Sequence, residues 1–257
     1  MDYFFYRVDR QLNMEYIDFN CDLGEGSGRD AAIMPYISSC NIACGGHTGD
    51  EASIRETLTL AKKYQVKIGA HPSYPDPENF GRKILPLSPD RLTHSLVDQI
   101  SLLEGLATSF DLTIHHIKLH GALYHQSAND TITAQLIVKM MRSYFPRYLL
   151  YVPHPTMLSH MAQEQGVQIK YEAFADRKYN TDLSLVSREH PHAVLLNQNE
   201  VLEQVKKIFM EGQVKSITGN LVTIMAQTLC LHGDHPNAPE IAASIHNLIR
   251  NHGSIVA

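Results

Sequence analysis

The sequence has no apolar run approaching the ~20 residues that cross a bilayer, and its opening, MDYFFYRVDRQLN, lacks the long apolar core of a secretory signal. No membrane association is therefore expected, and a cytoplasmic location is the default. Positive charge is also short: 22 lysines and arginines against 27 aspartates and glutamates leave a formal charge of −5. Without a basic surplus to neutralise duplex phosphates, nucleic acid is not an expected partner; small molecules and protein subunits, including further copies of the chain, fit better. Cysteine is scarce, and Cys21, Cys40, Cys44 and Cys230 fall in or beside strand-like segments without a disulfide framework. Cys40 and Cys44 raise the question of a zinc site or a nucleophile, but no second closely spaced pair completes one, so reduced, packed thiols are expected. Linkers rich in Ser, Gly or Pro are missing too. After a tail over residues 1–14, a single domain over 15–257 is expected.

What the chain does have is strand-like and helix-like patterns in alternation. Strands are predicted near 16–21, 39–44, 66–71, 114–120, 148–152, 167–173 and 222–231, with helices between them. Ile54, Leu58 and Ala61 mark one helix behind Asp50 as a possible cap, and Ser88-Pro89 opens a longer one through Ser109. Alternation of this kind predicts an α/β fold with a parallel sheet, and a length of 257 residues suits a (β/α) barrel of about seven strands. The alternative is an open doubly wound sheet. Its dinucleotide fingerprint is missing, because the first strand runs into NCDLGEGSG rather than GxGxxG. Gly24, Gly26 and Gly28 in that loop either cradle a ligand or serve turns that need positive φ.

Four segments end an apolar run in acidic, histidine or lysine side chains: YIDFNCDLGE, VKIGAHPSYPD, IHHIKLHGALYH and LCLHGDHP. Read with a period of two, they send Asp18, Asn20 and Asp22, then Gly69 and His71, Lys118 and His120, and His232 and Asp234 to one side, with Ile17, Phe19, Ile68, Ala70, Ile117 and Leu119 on the other. Polar residues at the C-terminal ends of successive strands are how a parallel barrel builds an active site. Candidate acid, base and electrostatic groups are Asp22, His71, Lys118, His120 and His232; candidate substrate-binding groups are Asn20, Asn41, His47, Glu172, Arg177 and Asp234. Lys118 is the least ordinary of these, since a lysine inside a barrel needs a carboxylate or an anion, with Asp18 or Glu172 as possible partners. Arg177 suits a carboxylate or phosphate, unless it only forms a surface pair with Asp176. The loop SYPDPENFGRK is long enough to act as a binding loop, and Arg82 within it could reach an anion. His115, His116 and His125 look incidental. No GxSxG elbow or HExxH motif is present. What remains is acid–base chemistry with anion recognition, or a mononuclear metal site drawn from His47, His71, His232 and an aspartate; the sequence leaves the metal open.

The blocks IDFNCDLGEG, NIACGGHTGD, AHPSYPDPENFGRK, IKLHGALYH, EAFADRKY and LCLHGDHPNA, in this order, resemble the LamB/YcsF family. The resemblance implies a seven-stranded barrel of the glycoside hydrolase/deacetylase type. It also implies a part in the ATP-dependent cleavage of 5-oxo-L-proline to L-glutamate together with 5-oxoprolinase subunits B and C, with ATP used on those partners. The chain has no Walker A pattern of its own, in keeping with that division. The family's positions carried by these blocks are Asn20, Asp22, His47, His71, Lys118, His120, Glu172, Asp176, Arg177, His232 and Asp234. The chain departs from the family's usual pattern at Gly46 (bulkier there), Thr48 (Ala), Ser73 (Gly), Lys83 (Arg) and Leu119 (Pro), and it drifts over 140–165 and 187–196. Alternatives of other kinds are a stand-alone metal-dependent amide hydrolase and a non-catalytic subunit that binds lactams or sugars.

Overall fold

Strand β1 (Tyr16–Leu23) is buried on both sides: Phe19, Cys21 and Leu23 alternate with Asp18, Asn20 and Asp22, and none of the six is more than 2% exposed. A strand of this kind needs an apolar layer on one face and a satisfied polar layer on the other. In the computed structural model, which describes residues 16–251 and 255–256, both layers are present. The expected tail over 1–14 lies outside the described residues.

Seven parallel strands form a ring in the order β1, β2 (Ser39–Ala43), β3 (Lys67–His71), β4 (Ile114–Lys118), β5 (Leu149–Pro153), β6 (Ile169–Phe174) and β9 (Thr228–His232). Pairing of β1 with β9, in the register Asp18↔Thr228 to Asp22↔His232, closes the ring. This is the predicted seven-stranded (β/α) barrel, and closure rules out the open doubly wound sheet. A short β10 (Ile255–Val256) pairs with the start of β1. Outside the ring stand α1 (Asp30–Ile33), α2 (Glu51–Tyr64), α3 (Pro89–Thr108), α4 (Gly121–Asn129), α5 (Thr131–Tyr144), α6 (Met157–Glu164), α7 (Gln198–Lys206) and α8 (Ala238–Asn251). None of the described helices is long and apolar enough to cross a membrane.

Local chemistry sets the helix ends. The Asp50 carboxylate accepts from Ser53 N at the start of α2, while Ser88 accepts from Arg91 N at the start of α3 with Pro89 in the first turn. Ile54, Leu58 and Ala61 of α2 are fully buried, as are Ile42, Ile117, Leu150, Ala173 and Leu229 on the outward faces of the strands. Burying each of the larger apolar side chains contributes roughly 1.5–3 kcal/mol. The four cysteines are free and buried.

The last predicted strand is corrected. Residues 221–223 form β8 (Leu221–Thr223), an antiparallel hairpin with β7 (Gln213–Lys215) apart from the barrel, and the seventh barrel strand begins only at Thr228. The apolar run LVTIMAQTLCL continues through both, so its pattern could not separate them. Between the two, Gln227 is anchored to β6, its N–H donating to Tyr171 O and its side-chain oxygen accepting from Tyr171 N.

The barrel interior is polar where such barrels usually carry branched apolar layers. Asn41 Nδ2 donates to Asn20 Oδ1 and Asp22 Oδ1, both at 2.7 Å, and Asn41 Oδ1 accepts from His116 Nε2 at 2.7 Å. Asn20 Nδ2 donates to Thr228 Oγ1 at 2.7 Å and Glu172 Oε1 at 3.1 Å. Deeper in the barrel, Asp18 accepts from Ser38 and Ser39 at 2.9 Å each and from Tyr151 at 2.7 Å. His116 stacks on Tyr151 with ring centroids 3.9 Å apart. This layer requires glycine at 69, because a Cβ there would stand 2.2 Å from His116 Nε2. Gly69→Ala is therefore expected to push the imidazole off Asn41 and to cost about 1–3 kcal/mol, as overpacking does; thermal denaturation beside the wild type measures it.

Candidate active site

The C-terminal ends of the strands deliver the chemistry. Lys118, the last residue of β4, is 2% exposed, and its Nζ lies 2.7 Å from Asp22 Oδ1, 2.9 Å from Cys230 Sγ and 3.3 Å from Glu172 Oε1. The expected partner Glu172 is there; Asp18 is not, because the Ser38, Ser39 and Tyr151 hydroxyls hold it deeper in the barrel. Burial alone would lower the lysine pKa, but the negative groups around it, Asp22 first, hold it well above the ordinary value. Burial likewise opposes ionisation of Asp22, and the charges of His71 and Lys118 outweigh it, so Asp22 stays well below the usual carboxylate range. Glu172 is pushed up by burial. Its Oε2 faces the Tyr124 hydroxyl, and both atoms are buried beside the ammonium.

Above the lysine, three imidazoles surround Glu25. His71 Nδ1 donates to Lys118 O at 2.8 Å, and His120 Nε2 donates to Phe80 O at 3.0 Å. His47 Nδ1 lies 3.1 Å from Ser73 Oγ, and its ring stacks on His120 at 3.7 Å. Glu25 Oε1 is 3.2 Å from His47 Nε2, 3.5 Å from His120 Nδ1 and 3.8 Å from His71 Nε2. Burial, reinforced by the charge of Asp22, raises the Glu25 pKa to about 7. Burial also lowers His47 to about 4 and His120 well below its ordinary value, so both rings are neutral at pH 7. Phe80 from the long loop after β3 closes over His47 and His120, its ring centroid 5.0 and 5.4 Å from theirs.

On the opposite wall, Asp176 and His232 form a dyad. His232 Nδ1 donates to the Asp176 carboxylate at 2.9 Å, the carboxylate is buried, and the imidazole keeps 13% exposure with Nε2 available. Burial would raise the Asp176 pKa, but the charge and hydrogen bond of His232 keep it below the usual range.

Of the sequence candidates, the structure gathers Asp22, His47, His71, Lys118, His120, Glu172 and His232 at this rim. Others stand elsewhere. Asn20 and Asn41, expected to bind substrate, spend their amides inside the barrel and orient Asp22 and Glu172 from below. Arg177 is neither a surface residue nor paired with Asp176. It is buried, its pKa is lowered to about 10 chiefly by burial, and it donates to Val186 O and Ala193 O, bracing the excursion between β6 and α7. Asp234 is partly exposed and lies 2.8 Å from Arg82 and 3.9 Å from Arg188, so it ties together the loops that follow β3, β6 and β9. Arg82 is committed to that tie. His232, by sequence a possible metal ligand beside His47 and His71, is held apart from them by Asp176.

Two residues of the site were given no settled role by the sequence pattern. Glu25, which with Asp22 offers a second carboxylate after the first strand for a metal, a water or a substrate amide, follows that strand in a tight turn through Gly24 and Gly26, φ +72° and +75°, where alternation no longer reports direction; with Gly28 at φ +69°, these glycines serve turns. His116, which looks incidental in sequence, is fully buried in the barrel, and its shared parity with Lys118 and His120 is the signal that could have found it. Two departures from the family pattern also fit each other. A Cβ at Gly46 would stand 2.4 Å from Ser73 Oγ, so the small residue makes room for the hydroxyl that holds His47.

The barrel and its rim have close relatives. Proteins named as the A subunit of 5-oxoprolinase are similar over nearly their whole length: that of Acinetobacter baylyi is 44% identical over 242 residues, covering 92% of this chain and 95% of its own, and that of Bacillus cytotoxicus 38% over 245, covering 93% and 97%. The crystal structure of the lactam utilization protein from Thermus thermophilus superposes with a TM-score of 0.87 at 34% identity, over 94% of this chain and 98% of that one. Residues 17–257 match the LamB/YcsF family, and the chain belongs to it.

Proposed function

We propose that the chain opens and hydrolyses the ring amide of 5-oxo-L-proline to L-glutamate, acting on a phosphate-activated ring as one component of an ATP-dependent enzyme completed by subunits B and C. The observation that carries this reading is the buried ammonium of Lys118 standing among two carboxylates, below the Glu25–imidazole group and across from the Asp176–His232 dyad. The names of the relatives support the substrate class.

Amide resonance makes the lactam carbonyl a poor electrophile, and phosphorylation of its oxygen on the partner subunits would remove that resistance. Lys118 would pair with the negative charge carried by the phosphorylated carbonyl oxygen in a buried, weakly screened site. A water held where Asp22, Glu25 and the imidazoles meet gives up a proton there and adds to the carbonyl carbon. The C–N bond then breaks, and His232 Nε2, its ring oriented by Asp176, delivers a proton to the departing nitrogen. The acyl phosphate left on the side-chain carboxyl is hydrolysed by a second water, giving L-glutamate and inorganic phosphate.

Release of glutamate from 5-oxo-L-proline by the purified chain tests this reading. Turnover is expected only when ATP and both partner subunits are present. Binding of the lactam without turnover in the complete mixture would make the chain a carrier and reject the assignment. Cleavage of amides by the chain alone, without ATP, would favour a stand-alone hydrolase, a second reading that the grouping of Glu25, His71 and His120 keeps in view.

A further inference from the structure

The hydrogen bonds around Glu25 fix where the protons of the three imidazoles are. A backbone carbonyl can only accept, so His71 carries its proton on Nδ1, toward Lys118 O, and His120 on Nε2, toward Phe80 O. The Ser73 hydroxyl donates to Tyr74 O at 2.8 Å, so it accepts from His47 Nδ1. The second nitrogen of each ring faces inward. His71 Nε2 and His120 Nδ1 stand 3.0 Å apart, with Glu25 Oε1 beside both. Two imidazole nitrogens, their outer nitrogens already committed to backbone carbonyls, and a carboxylate oxygen thus converge on one space.

We infer that Glu25, His71 and His120 bind a divalent first-row transition ion of the zinc class. The three ligand atoms lie within 4.8 Å of one another. With metal–ligand bonds of about 2.0–2.1 Å, a tetrahedral ion needs ligand separations of about 3.3 Å; the separations here are 3.0, 3.5 and 3.8 Å. Two histidines and one glutamate leave a fourth position for water, as in catalytic rather than structural zinc sites. Asp22 Oδ2, 3.4 Å from His71 Nε2, and His47 Nε2, 3.2 Å from Glu25 Oε1, border the same space. The carbonyl acceptors behind His71 and His120 are the outer partners that ligating imidazoles require to hold tautomer and ring plane. Imidazole with carboxylate favours zinc and its neighbours over the hard ions magnesium and calcium. When bound, such an ion would acidify a coordinated water.

The test is zinc titration of chelator-stripped protein by calorimetry, with elemental analysis of untreated protein and the visible spectrum after cobalt substitution. About one ion per chain is expected, with cobalt absorption typical of low coordination number. Glu25→Gln and His120→Ala should each weaken binding by more than the roughly 10–100-fold that loss of an outer partner costs, while His125→Ala, on the exposed side of α4, binds as the wild type does. Circular dichroism of the stripped variants shows that the fold survives. Absence of binding at micromolar zinc, or wild-type affinity in both site variants, overturns the inference. Glutamate release is scored separately, so an active, metal-free enzyme would reject the ion and leave the proposed reaction standing.

Discussion

Lys118→Met is expected to abolish turnover in the reconstituted enzyme and, at the same time, to destabilise the chain by about 3–5 kcal/mol. The second effect corresponds to a fall of roughly 10 °C in melting temperature for a chain of this size. Both follow from one arrangement: the ammonium is 2% exposed and lies between Asp22 at 2.7 Å and Glu172 at 3.3 Å, so its removal leaves two buried carboxylates uncompensated. The two effects are separable. Adding Asp22→Asn and Glu172→Gln to Lys118→Met takes away the stranded charges and should recover much of the stability, since well-packed neutral groups often match a buried ion pair. Activity should stay absent, because both the ammonium that pairs with the activated carbonyl and the Asp22 carboxylate beside the water are gone. Stability alone thus gives no reason to keep a lysine inside the barrel. Thermal melts and glutamate release, run on the single and triple variants, check the pair; full activity in either would remove Lys118 from the chemistry.

His232→Ala is expected to lower turnover by about 10²–10⁴-fold, the usual contribution of a positioned acid–base group, with a smaller effect on stability because the ring is partly open to solvent. Asp176→Asn should fall in the same direction for a different reason. An asparagine can present its amide N–H to His232 Nδ1, which favours the other tautomer and turns the lone pair of Nδ1 toward residue 176. The proton that the leaving nitrogen needs is then on a differently held ring. Initial rates of glutamate release, with circular dichroism to show that both variants fold, check the pair. Unchanged rates in both would place the acid elsewhere, with His71 or His120 as the remaining imidazoles.

Much of this site was legible in the sequence because a strand reports direction through alternation. The parity that sends Asp18, Asn20 and Asp22 one way and Ile17, Phe19 and Cys21 the other placed β1 in the barrel wall and its acids in the lumen. The same pattern carried Lys118 and His232 to the correct rim. Period-two reasoning stops where the strand stops. Glu25 lies past Leu23 in a turn built on two positive-φ glycines, and nothing local says that it folds back over Asp22. Asp176 and Arg177 are neighbours in sequence, which suggested a pair. In an extended segment, however, adjacent side chains point apart, and one reaches His232 while the other braces the backbone of 186 and 193. Asn20 and Asn41 suggested ligand groups because a buried amide needs a partner; the structure supplies that partner from the neighbouring strand, a contact between residues 21 apart in sequence. The start of the seventh strand was hidden by an apolar run that serves a hairpin first and the barrel afterwards.

Cleavage of the cyclic amide at the C-terminal rim of the barrel is tested most directly by glutamate release from 5-oxo-L-proline with ATP and the partner subunits, comparing His120→Ala at that rim with Lys67→Ala, an exposed residue at the opposite end of β3. Loss of turnover is predicted in the first and the wild-type rate in the second. A wild-type rate from His120→Ala, or loss confined to Lys67→Ala, would contradict a reaction at that rim.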